Sequence, residues 1–131
     1  MFVLDTNTVI DYFKGRGKVA ERLLAVPPRD IGLPAIVAYE IWVGVLGSQN
    51  TKRRQSQYEQ FLTAIEVIPF DAGISRRAAE LRCALERRGE SIGPLDTLIA
   101  GTALASSAAL VTRNVKEFGR IAGLEVVNWH D

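Results

Sequence analysis

Three carboxylates carry the chemistry this chain can offer, although each has an ordinary explanation when taken singly. Glu40 lies inside the apolar run Ile36-Val37-Ala38-Tyr39-Glu40-Ile41-Trp42-Val43. An isolated charge there must neutralise, find a cation or hold a metal. An internal pair with an arginine, or a rim position reaching water, would account for it equally well. Asp5 follows the short apolar stretch Phe2–Leu4 and has the form of a turn or capping residue. Asp96 comes two residues after Pro94, in what reads as the first turn of a helix, where negative charge suits the helix dipole. Asn114 and Glu117, in Thr112-Arg113-Asn114-Val115-Lys116-Glu117-Phe118, fit a polar loop and a short surface helix.

Taken together they say more. Carboxylates brought close raise one another's pKa and repel unless a divalent cation sits among them. A set of oxygen ligands selects hard ions such as magnesium or manganese. Magnesium keeps several waters, so a few carboxylates suffice, and one of those waters can serve as a nucleophile towards a phosphoryl group. Other chemistries lack their parts. His130 is the only histidine and lies beside the last residue, so neither a paired-histidine mechanism nor a Ser-His-Asp arrangement has its base. The single cysteine, Cys83, supports neither a zinc site nor an intrachain disulfide. No Gly-x-Ser-x-Gly and no Gly-rich phosphate loop with its Lys-Ser/Thr is present.

The elements that must position these acids follow from the apolar pattern. Phe2–Leu4 predicts a buried strand, and a helix capped by Thr6 or Asn7 follows, with Val9, Ile10 and Phe13 as its stripe and Gly15 and Gly17 at its end. A second helix spans about Lys18 to Ala25, and Ile31 to Leu33 is a second strand. Pro34 opens a helix towards Gly47 whose near-continuous apolar residues predict burial on most sides. A polar helix from about Thr51 to Ala64 leads to a strand at Glu66 to Ile68. Asp71 then caps a helix on which Ile74, Ala78, Leu81 and Leu85 recur. After a loop from Gly89 to Pro94, a helix of small residues runs from Leu95 to about Ser106. Ala109 to Thr112 and Glu125 to Val127 complete the strands. Such alternation implies a mainly parallel sheet covered on both faces. In such sheets functional groups gather beyond the carboxyl ends of the strands. Asp5 and Arg113-Asn114 occupy two such ends.

Composition bounds the rest. A chain of 131 residues, 47% hydrophobic and 24% charged, predicts one domain over residues 1–131. Sixteen Lys and Arg against fifteen Asp and Glu give a net charge of +1, without the basic excess that announces nucleic-acid binding. Met1–Asp5 lacks the basic start and long apolar stretch of a signal peptide. The weakly polar run Leu98–Val111 is interrupted by Gly101, Thr102, Ser106 and Ser107, and falls short of the roughly 20 residues that span a bilayer. A soluble, cytoplasmic protein is expected.

Several short motifs, in order and spanning nearly the whole chain, carry a family resemblance. They are Val3-Leu4-Asp5-Thr6-Asn7, Ala38-Tyr39-Glu40-Ile41, Pro94-Leu95-Asp96-Thr97-Leu98-Ile99-Ala100 and Leu110-Val111-Thr112-Arg113-Asn114, closing on Gly123-Leu124 and Asn128-Trp129. The chain resembles a PIN domain, and within that family the VapC toxins of bacterial toxin–antitoxin pairs. The resemblance implies a three-layer α/β/α sandwich and a magnesium- or manganese-dependent endoribonuclease that inhibits translation and growth. It also implies a homodimer and a small VapB-like antitoxin as partner. It assigns the metal to Asp5, Glu40 and Asp96. The fourth acidic position matches Asn114 in one branch and Glu117 in others, so Glu117 is expected to act through water, with Asn114 orienting ligands. Thr6, Asn7 and Thr112 match positions that hydrogen-bond around the acids. Lys52, Arg53 and Arg54, the helix arginines Arg76, Arg77, Arg82, Arg87 and Arg88, and Arg113 and Lys116 are candidates for RNA contact, against a solvated helix face as the plainer explanation. A structured RNA loop such as that of transfer RNA is the expected substrate. Two other readings compete. A haloacid-dehalogenase-like phosphatase wants a second acid where Asn7 stands and gives Glu40 no role; a non-catalytic RNA- or protein-binding module on a degenerate nuclease scaffold would not need three intact acids.

Overall fold

The computed structural model describes residues 1–131. In chain order it contains β1 (Phe2–Leu4), α1 (Thr6–Lys14), α2 (Val19–Leu24), β2 (Ile31–Pro34), α3 (Ala35–Leu46), α4 (Thr51–Ala64), β3 (Glu66–Ile68), α5 (Ala72–Arg87), α6 (Pro94–Ala105), β4 (Ala109–Val111), α7 (Val115–Phe118) and β5 (Val126–Val127). The strands form one parallel sheet in the order β3-β2-β1-β4-β5, and helices complete a three-layer α/β/α sandwich around it. The chain steps outward from β1 to β3, then returns across the sheet to β4 and continues the other way. The strand order therefore reverses between β1 and β4, and the crevice at their carboxyl ends is where such folds place their ligands.

The two central strands carry side chains that are apolar on both faces, as a sheet covered on both sides requires. Val3, Leu4, Leu110 and Val111 have no exposed surface. Val3 pairs with Leu110 and Leu4 with Val111, so Asp5 and Thr112 leave the sheet side by side. Their backbones remain tied to the strands: Asp5 N–H donates to the Val111 carbonyl at 3.2 Å and Thr112 N–H to the Val127 carbonyl at 2.9 Å.

The start of α1 differs from the sequence expectation. Its cap is Asp5, not Thr6 or Asn7. Asp5 keeps the extended backbone of the strand (φ −82°, ψ 173°), and its Oδ1 accepts the Thr8 N–H at 2.8 Å, while Thr6 is already helical. At the other end Gly15 adopts a left-handed φ of 65°, a conformation that a side chain would strain.

Helix α3 is less buried than its composition predicts. Only Val37, Ile41 and Val45, spaced four residues apart, are buried, while Tyr39, Val43 and Leu46 are 59%, 56% and 62% exposed. The helix packs on α1, α4 and the strands with one face, and nothing within the chain covers the opposite apolar face. Pro34 ends β2 and precedes the first turn of α3 rather than lying within it. Tyr58 of α4 closes the buried side. It is 1% exposed, stacks edge-on with Trp42 and Phe13, and donates its hydroxyl to the Ala38 carbonyl at 3.2 Å. Burial pushes its phenol up to about 12. On the other side, α5 and α6 approach closely because small residues meet. A Cβ at Gly101 would lie 2.7 Å from the Ala78 Cβ, so the small-residue run of α6 is what lets it dock and present Asp96 at its first turn. No helix is long and apolar enough to cross a membrane.

Candidate active site

Four elements deliver one acid each to the crevice at the β1/β4 reversal. Asp5 arrives at the end of β1, 5% exposed. Burial raises its carboxyl above the ordinary carboxylate range; the adjacent polar groups of Thr112 and Thr8, among them the Thr8 N–H that donates to it at 2.8 Å, oppose the rise, and the Asp11 charge adds to it. Glu40 comes from the middle of α3, half-buried, where its Oε1 accepts the Thr6 hydroxyl at 2.6 Å. Thr6 thus links the first turn of α1 to α3, and Glu40 occupies the helix rim rather than an internal ion pair.

Asp96, half-buried in the first turn of α6, registers all the others. Its carboxyl is pushed up first by burial, then by the negative charges of Asp5, Glu117 and Glu40. A Cβ at Gly93 would come within 3.3 Å of Asp96 Oδ2, so the glycine leaves that oxygen open space. Glu117, on α7, is held by Asn114, whose amide donates to its carboxylate at 2.7 Å; the Asn114 backbone N–H in turn donates to the Thr112 hydroxyl at 3.0 Å. Asn114 therefore orients the acid of its own turn.

No ion pair in the chain includes Asp5, Glu40, Asp96 or Glu117. The cluster is consequently a concentration of negative charge without a side-chain counterion. As the side chains stand, no three acids are close enough to enclose an ion among themselves. Asn7 is exposed in the first turn of α1 and makes no side-chain hydrogen bond to the acids; it also leaves the phosphatase alternative without its second carboxylate. Lys116 is exposed and free of ion pairs.

A groove of about 540 Å³ runs from Glu40 between α1, α3 and α4. Ile10, Phe13 and Ile41 contribute its apolar lining, and Lys14, Arg53 and Arg54 its cationic one. The arginines of α5 are placed differently. Arg76 and Arg82 lie next to Glu80 and Glu86 on the same helix face, at 3.8 and 2.8 Å, and Arg88 lies 3.2 Å from Glu90. Arg113 sits 3.4 Å from Asp11, a buried carboxylate of α1. Asp11 escaped the sequence reading, yet the signal that singles out Glu40 was there: a carboxylate between Val9-Ile10 and Tyr12-Phe13.

Comparison with known proteins identifies the family and the fold. The model of the PIN domain family matches residues 2–124. Ribonuclease VapC2 of Rickettsia felis is 42% identical, with 98% of each chain covered. The tRNA(fMet)-specific endonuclease VapC of Shigella flexneri is 30% identical over 98% of this chain and 97% of its own. Among solved structures, that of VapBC2 from Rickettsia felis bound to a DNA fragment from their promoter superimposes with a TM-score of 0.90 at 36% identity, covering 98% of both chains.

Proposed function

The chain belongs to the PIN-domain family, and we propose that it works as a magnesium- or manganese-dependent endoribonuclease, the toxin of a type II toxin–antitoxin pair. The observation that carries the metal dependence is Asp96: an acid raised first by burial and then by the charges of Asp5, Glu117 and Glu40, with no lysine or arginine paired to any of the four. Folding gathers these charges against their own repulsion, which a structural role does not require. A divalent cation resolves the conflict.

Asp5, Glu40 and Asp96 would hold the ion, their side chains drawing together around it from the positions they take here, and Gly93, lacking a Cβ, leaves room beside Asp96 Oδ2. When bound, it supplies positive charge to the phosphoryl oxygens and an activated water for in-line hydrolysis. The protein's own groups do the rest. Thr6 fixes the direction of Glu40 through its 2.6 Å hydrogen bond. The Thr8 N–H donates to Asp5 and favours its ionised form, offsetting part of the burial that raises its carboxyl. Glu117, positioned by Asn114, acts at the edge of the cluster through water. Lys14, Arg53 and Arg54 along the groove, with Lys116 at the other side of the site, provide contacts for an RNA backbone leading to Glu40. The near-neutral charge of the chain favours a short structured RNA loop over a long duplex. The Shigella relative, named as specific for tRNA(fMet), makes a transfer RNA loop the first substrate to try.

The proposal extends to the chain's organisation and partner. Residues 1–131 act as one nuclease domain in the cytoplasm, as a homodimer, and a VapB-like antitoxin restrains them, as the Rickettsia complex suggests. The test is cleavage of total RNA by the purified chain with magnesium or manganese, with and without chelator, beside Asp96→Asn. Metal-dependent cutting that Asp96→Asn abolishes is the expected result. Cutting that survives chelation, or is indifferent to the substitution, would overturn the reading.

A further inference from the structure

The buried carboxylate of Asp11 is not one of the four acids of the cluster above, although its charge reaches Asp5, and its surroundings are unusual. Asp11 is 1% exposed, its Oδ2 has no hydrogen bond, and the nearest cationic groups are Arg113 Nε at 3.4 Å from that oxygen and Arg16 Nη1 at 3.9 Å from Oδ1. Desolvating a carboxylate is unfavourable, and an apolar residue would fill the same space at lower cost. The choice of a charge there calls for a role in which direction matters.

That role is legible from α1 and β4 together. Asp5, Thr8 and Asp11 recur every three residues, so they share one helix face. Each meets the end of β4. Asp5 N–H donates to the Val111 carbonyl at 3.2 Å, the Thr8 hydroxyl donates to the same carbonyl at 2.9 Å, and Asp11 faces Arg113. The first two of these positions are thus tied to the end of β4 at Val111, and the third reaches past it to Arg113. Beyond them the chain continues directly into the Asn114–Glu117 turn, which Thr112 and Asn114 hold by their own hydrogen bonds.

Resting on the nuclease reading above, we propose that Asp11 is a positioning residue: through Arg113 it locks the register of α1 against the Thr112–Glu117 segment. That register sets where Glu117 stands relative to Asp5 and Asp96. Arg113 is thereby assigned to holding the site together, and contact with RNA through its exposed side is secondary.

The experiment is a cycle of Asp11→Asn, Arg113→Met and the double variant, with Arg113→Lys as the conservative control. All are checked for folding by thermal unfolding and compared by amide NMR spectra, manganese binding and steady-state RNA cleavage. Asp11→Asn removes only the charge, so it keeps the claim testable if Arg113→Met, which strands a buried carboxylate, fails to fold. Each folded single variant is expected to shift the amide resonances of residues 112–117 and weaken manganese binding. Each should also lower kcat by about 10- to 100-fold while KM changes by less than about two-fold. The double variant should be no worse than the poorer single one, and Arg113→Lys should recover part of the loss. Unmoved resonances for 112–117 in folded Asp11→Asn, strictly additive effects, or an Arg113→Met that raises KM alone would overturn the proposal. Wild-type protein that cuts no RNA would overturn the nuclease reading instead, and the NMR comparison would still decide the fate of Asp11.

Discussion

Asp5 and Asp71 begin two helices in the same way and end with different roles. Both have extended backbones (φ −82°, ψ 173° and φ −84°, ψ −177°), and both accept the N–H three residues on, at 2.8 and 2.9 Å. Locally they are the same N-cap. Asp71 stands in solvent at the start of α5, while Asp5 is buried at the reversal of the sheet, beside Thr112 and within reach of Asp96's charge. The contrast teaches that capping geometry is set by a few neighbouring residues. The chemistry of a carboxylate is set by what distant segments bring to it.

The sharpest way to break the comparison is to replace both acids by asparagine, which caps a helix nearly as well. Asp5→Asn should lower RNA cleavage by about 10²- to 10³-fold with helicity retained in circular dichroism, and Asp71→Asn should leave the rate unchanged. An equal loss in both would mean that helix capping, not cation binding, underlies activity. One step outward, Thr6→Val removes the hydroxyl that directs Glu40 and should lower the rate by about 10- to 100-fold, measured at saturating RNA; the 2.6 Å bond makes this the most sensitive supporting contact. Smallest is Asp71→Ala, which should cost about 1 kcal/mol of stability in urea unfolding with no change in cleavage.

The same contrast explains what the sequence made legible. Elements marked by local signals came through: the Phe2–Leu4 strand, the α4 and β3 bounds and the Asp71 cap all follow from periodicity and turn chemistry within a few residues. Asp5 as the cap of α1 did not, because Thr6 and Asn7 are equally good capping types and only the strand's extended backbone at Asp5 decides among them. Burial of α3 was overstated for a related reason. Composition reports how apolar a helix is, whereas which face finds a neighbour depends on the tertiary arrangement, and Tyr39, Val43 and Leu46 find none within the chain. In the site, Asp5, Glu40 and Asp96 were conspicuous because each is an acid in an apolar or helix-start setting. Arg113 reads as a free cation until α1 brings Asp11 to it from the far end of the chain.

Thermal unfolding of the wild type and Asp96→Asn, first with chelator and then with manganese, from about pH 5 to about pH 8, tests the central claim most directly. The folded carboxyls of Asp5 and Asp96 lie above their unfolded values, so between those values the folded state binds more protons than the unfolded one. Metal-free stability therefore falls as pH rises through that window, and the full penalty is present once both acids are ionised. Manganese should offset it, raising the wild-type Tm by a few degrees near pH 8 and by less near pH 5. Asp96→Asn should be the more stable protein without metal at the higher pH and should respond little to manganese. A wild-type Tm that ignores manganese at the higher pH, or a variant that gains as much from it, would contradict a cation site built from these acids.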